Sequence, residues 1–203
     1  MRRVVILALL ALAVALPTAV WADGIVLTNQ YGSISVSSSG ITSVNSELTS
    51  FNGIVAPKGH SLGSVSFGTG ALASGSLAAG GTFSATGSYF TVFGKGNYGE
   101  PKGTIFSGAF VGPINWTLTS PPGQKNLTYT LTGAISGTLY DGRQVTGTTT
   151  QNIFTVQGQL AQGVGHIGLG NTNLPVPEPG TLGLLGTGLV GIAGMFRRKL
   201  MGR

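Results

Sequence analysis

Thr128-Tyr129-Thr130-Leu131-Thr132 alternates hydroxyl and apolar side chains, and Tyr140-Asp141-Gly142-Arg143 interrupts the chain before a second alternating run. Successive side chains of a strand point to opposite faces, so alternation at period two marks a half-buried β-strand. Asp-Gly between two such runs is a strong hairpin cue, which predicts that Thr132–Tyr140 pairs with Arg143–Val156. Working outward, Ser33-Ile34-Ser35-Val36-Ser37, Ser64-Val65-Ser66-Phe67 and Thr117-Leu118-Thr119 repeat the pattern. Turn residues fall between the runs at Gly53, Pro57-Lys58-Gly59, Gly80-Gly81, Gly94-Lys95-Gly96-Asn97 and Pro121-Pro122-Gly123. Helical periodicity is absent from this middle region. Several strands at spacings of roughly ten residues predict an all-β body, a single antiparallel β-sandwich or jelly-roll, with a Gly/Ser solenoid as the alternative.

Composition narrows the function classes. The chain has 203 residues, 35 of them Gly, no Cys, and only 8% charged residues. With no Cys, disulfides, thiolate metal sites and a cysteine nucleophile are excluded. The net charge of +6 resides in the ends, where Arg2, Arg3, Arg197, Arg198, Lys199 and Arg203 lie. Between Asp23 and Pro175, Lys58, Lys95, Lys102, Lys125 and Arg143 face Asp23, Glu47, Glu100 and Asp141. The body therefore lacks the clustered basic footprint that nucleic-acid binding needs.

The two ends read as targeting segments. Met1-Arg2-Arg3 is followed by the unbroken apolar run Val4–Leu16 and then by Pro17-Thr18-Ala19-Val20-Trp21-Ala22. A basic start, a short apolar run and small residues before a cut are the zones of a secretory signal peptide. Residues 1–22 are expected to form a signal helix that is removed by cleavage between Ala22 and Asp23, after passage through the Sec machinery and signal peptidase. At the far end stand Leu174-Pro175-Val176-Pro177-Glu178-Pro179-Gly180, then an uncharged stretch at 181–196, then Arg197-Arg198-Lys199. The prolines hold the backbone extended. The apolar stretch reads as a short transmembrane helix, and the basic flank as a cytoplasmic stop.

This C-terminal arrangement resembles the PEP-CTERM sorting tail of Gram-negative bacteria, with Val176, Pro177, Glu178, Pro179 and Gly180 at the motif. The resemblance covers residues 174–203 and leaves the body, 23–173, unrecognised. It implies an exosortase partner, an inner-membrane-anchored precursor, and delivery to the cell surface or beyond. It also implies an exopolysaccharide or biofilm setting, since such tails accompany matrix production, and similar tails occur on some ice-binding proteins.

The body offers little catalytic material. His60 and His166 stand apart from other ligand types, and no metal or cofactor is expected. Glu47, Glu100 and Asp141 are the carboxylates available to a glycosidase pair. Asp141 is accounted for by the turn, and Glu100 precedes Pro101 in a Gly-rich loop. The expectation is a non-enzymatic structural or adhesive protein. The alternative is a glycan-binding module, for which Tyr89 and Tyr98, flanking Phe90, Phe93 and the Gly94–Asn97 turn, are the candidate contacts. The pairs Thr117/Thr119, Thr128/Thr130 and Thr148/Thr150 could offer hydroxyl rows to ice or glycan, although solvent-facing Thr is ordinary on exposed strands.

Overall fold

The computed structural model describes residues 24–121, 123–156, 160 and 163–176. Twelve strands follow in order: β1 Ile25–Gln30, β2 Ser33–Ser37, β3 Gly40–Phe51, β4 Ile54–Val55, β5 Gly63–Gly68, β6 Leu72–Ser76, β7 Gly80–Phe83, β8 Tyr89–Gly94, β9 Gly103–Leu118, β10 Asn126–Leu139, β11 Gln144–Val156 and β12 Val164–Leu174. The expected signal helix, the tail helix at 181–196, residues Ala22 and Asp23, Pro177–Gly180, and Arg197, Arg198 and Lys199 lie outside the described residues.

Hydrogen bonding runs antiparallel through β10-β11-β12-β1-β3-β5-β8-β9, and β9 pairs in turn with β10. The sheet thus closes on itself as an eight-stranded barrel. The expected all-β class holds. The sandwich or jelly-roll does not, because the inward faces belong to one continuous wall instead of two opposed sheets. The remaining strands are additions: β2 pairs with β12 and β3, β4 with β3, and the β6–β7 hairpin continues the sheet along β9. The Asp141-Gly142 hairpin forms as read. Gly142, at φ 84°, donates its N–H to the Leu139 carbonyl at 2.9 Å, and Thr138 pairs with Gln144.

Eight strands leave an interior wide enough for side chains alone. Phe67, Phe90, Phe106, Phe110, Ile114, Leu131 and Ile135 fill much of it. Phe67 and Phe90 stack with ring centroids 6.0 Å apart, and Phe110 meets both edge-on. An inward-facing glycine makes room for the largest rings: a Cβ at Gly133 would lie 2.7 Å from the Phe110 ring. At one end of the barrel Trp116 and Tyr129 stack at 4.4 Å, and Phe83 of β7 meets Trp116 edge-on. Their polar atoms reach the loop between β6 and β7: Trp116 Nε1–H donates to the Leu77 carbonyl at 2.8 Å and the Tyr129 hydroxyl to Ala78 at 2.9 Å.

Elsewhere the interior is polar. Asn29, Ser46, Thr149, Gln151 and Thr172 are all buried and joined by hydrogen bonds. Outside, the wall carries Thr130, Thr132, Thr146, Thr148, Thr150, Asn171 and Asn173. A barrel that spans a lipid bilayer wears an apolar band on its outer face. The described strands here turn many hydroxyls and amides outward, together with exposed Val26, Val44, Phe93, Val111, Phe154 and Leu169.

The first and last strands are neighbours, with Ile25 opposite Leu174. Gly24 and Val176 therefore leave the barrel at the same end. Val176 is buried, so the compact unit runs from Gly24 to Val176 and ends where Pro177 begins.

Candidate functional site

The end of the barrel that carries Gly24 and Val176 also carries most of the body's charge. Lys58, Lys95, Glu100, Lys102, Asp141 and Arg143 sit in the loops that join strands there. Burial pushes the Glu100 carboxyl up, but the backbone N–H groups of Asn97, Glu100, Tyr98 and Gly96 outweigh it and hold the group below the ordinary glutamate range. Two of these bonds measure 3.0 Å from Asn97 and 2.9 Å from Tyr98. Glu100 is thus the clasp of the loop between β8 and β9. Asp141 is held by Arg143, whose guanidinium and backbone N–H both donate to it and lower its pKa. Glu47 stands exposed on β3, opposite Ser64 of β5. Two of the three carboxylates are thus committed to local structure.

The candidate glycan contacts are held apart. Tyr89 opens β8, and its ring lies over Gly68 of the neighbouring strand, where a Cβ would strike it. Tyr98 lies in the loop beyond the far end of β8 and meets His60 edge-on at 6.2 Å. The rest of β8, from Phe90 to Gly94, separates the two tyrosines by roughly 17 Å of rise, so they do not line one cleft. Phe90 is in the core, whereas Phe93 is half-exposed on the outer face. The hydroxyl rows are partly used by the protein itself: Thr130 donates to Asn152 at 3.1 Å and Thr119 to the Thr128 carbonyl at 3.0 Å.

A concavity of about 400 Å³ lies at the opposite end of the barrel from Gly24 and Val176. It is lined by Asn126 and Thr128 at the start of β10, Phe154, Thr155 and Val156 at the end of β11, and Gly165 and His166 at the start of β12. Thr128, Phe154 and His166 are in register across the three strands. The register shift between Asn152 and Ile153 places Gly168 beneath the Phe154 ring. Among the described residues neither carboxylate nor ammonium lines the concavity. Sequence reading took His166 as isolated and did not single out Phe154. Only the register of β10, β11 and β12 brings residues 126, 154 and 166 together.

Among the described residues no group of three or more His, Asp or Glu side chains could hold a metal ion. Residues 175–199 match the family model of the PEP-CTERM protein-sorting motif. The chain carries this sorting tail, and the match implies exosortase processing of an exported, membrane-anchored precursor. No curated protein and no solved structure matches the chain.

Proposed function

We propose that this chain is the precursor of a non-enzymatic surface or matrix protein. Its Gly24–Val176 barrel is the delivered cargo, and it serves as a structural or adhesive component of exopolysaccharide or biofilm. The observation that carries the reading is the junction at Val176. Val176, buried and the last of the described residues, is followed at once by Pro177-Glu178-Pro179, within the sorting-motif match. A cut at or beyond the motif removes the tail and spares every strand. Because β1 and β12 are neighbours, the signal and the tail join the barrel at one end, so cleavage at both leaves a closed body. The hydroxyls and amides of the outer wall suit a hydrated polysaccharide environment, and the commitment of Glu100 and Asp141 to local structure supports the absence of catalysis.

The reading is tested by expressing the wild-type chain and a Pro177→Ala/Glu178→Ala double variant in the native host and fractionating the cells. The wild type is expected in the surface or matrix fraction at reduced mass, and the variant in the inner membrane at precursor mass. Equal distribution of the two would contradict it. A cohesion defect in a strain lacking the protein, restored by the wild type and not by the variant, would support the matrix role.

A further inference from the structure

We infer that the concavity between β10, β11 and β12 is a binding site for an uncharged pyranose. The inference deepens the adhesive reading by naming a ligand class, and it rests on that reading only for its biological setting. Its physical basis is local. Phe154 is 49% exposed although it stands in the middle of three paired strands. Its ring lies against Gly168, where any side chain would collide with it, so the glycine lets the ring pack on the β12 backbone while about half of the residue stays exposed. Such a preorganised aromatic face binds without first giving up side-chain freedom. Thr128 and His166 flank Phe154 in register, on adjacent strands about 4.8 Å away. Asn126 and Val156 form the next paired row.

The ligand must therefore offer an apolar face to a ring and hydrogen-bonding groups around its rim. A pyranose has both, with axial C–H groups on its face and hydroxyls at its edge. The neutral amide, hydroxyl and imidazole groups match hydroxyls, which both donate and accept. An anionic ligand is disfavoured because no Lys or Arg among the described residues lines the concavity, and a wholly apolar ligand would leave Asn126, Thr128 and His166 desolvated. The volume of about 400 Å³ falls within the roughly 300–1,000 Å³ of small-molecule sites.

The test uses the full chain in a zwitterionic, sugar-free detergent and saturation-transfer NMR with methyl β-glucopyranoside, methyl β-galactopyranoside and methyl α-mannopyranoside, with glycerol as the control for hydroxyls without an apolar face. Transfer to the ring protons of at least one pyranoside, and none to glycerol, is expected. Phe154→Ala is expected to weaken binding about tenfold, in line with the worth of an aromatic contact, while Phe154→Tyr retains it. Asn126→Ala, which leaves the ring in place, is expected to weaken it by a smaller factor. Tyr89→Ala, which removes a ring on the far β8, is expected to leave it unchanged. Absence of transfer to every pyranoside, transfer that survives both Phe154→Ala and Asn126→Ala, or loss on Tyr89→Ala would each overturn the inference. None of these results touches the sorting reading, which stands or falls on fractionation.

Discussion

Asn29 and Gln151 exchange amide hydrogen bonds inside the barrel, at 3.0 and 3.2 Å, although one is on β1 and the other on β11. Gly170 of β12 lies between them in register with both, and its lack of a side chain lets the amides meet. A Cβ there would strike both amide oxygens. Gly170→Val should destabilise the fold by about 1–3 kcal/mol or more, the usual cost of overpacking, as read by urea unfolding. Asn29→Ala should cost about 1–3 kcal/mol, because it removes the Asn29 donor from the buried Gln151 Oε1. Ser43 is the converse: its buried hydroxyl has no hydrogen-bond partner, so Ser43→Ala should be neutral or slightly stabilising in the same assay. Glu100 gives the pH dependence. Its folded pKa lies below its ordinary value, so its contribution is complete above the ordinary glutamate range and is lost as pH falls through the lowered folded value. Acid titration of thermal stability should show a decline that Glu100→Gln removes, whereas an identical decline in the variant would show that other groups cause it.

Among the elements, the β6–β7 hairpin depends most on a few side chains. Phe83, Trp116 and Tyr129 hold it through ring contacts and through the carbonyls of Leu77 and Ala78. Trp116→Ala should cost about 3–5 kcal/mol, and cleavage by a protease near residues 77–79 should become faster. An unchanged unfolding midpoint would contradict the assigned role. The elements also show which features were legible in the sequence. Alternation and Asp141-Gly142 were enough to read β10, β11 and their turn, because strand period and turn chemistry are local. Closure was not legible. It rests on β1 pairing with β12 across most of the chain, and inward alternation looks the same in a sandwich and in a barrel. The buried positions of Asn29, Gln151 and Thr149 were hidden for the same reason: polar residues read as solvent-facing until a partner across the barrel is known. Phe154 escaped notice because its neighbours in the concavity lie on other strands, while Tyr89 and Tyr98, near in sequence, turn out to be separated by the length of β8.

At the scale of the whole molecule, closure makes the last strand indispensable. β12 pairs with both β11 and β1, and Leu174 and Val176 are buried. A chain cut before Thr172 should lose the cooperative thermal transition that a chain ending at Gly180 retains, as circular dichroism would show. A processing cut within β12 would therefore destroy the cargo, whereas a cut at the Pro177-Glu178-Pro179 motif would preserve it. The central claim is that one precursor is trimmed at both ends to release this barrel. Intact-mass measurement of the protein recovered from the surface of its native, exosortase-competent host tests it most directly. The account predicts a chain that begins at Asp23 and lacks everything from Leu182 onward, with Val176 retained. A surface protein that still carries Leu182–Arg203, or one that ends before Val176, would contradict it.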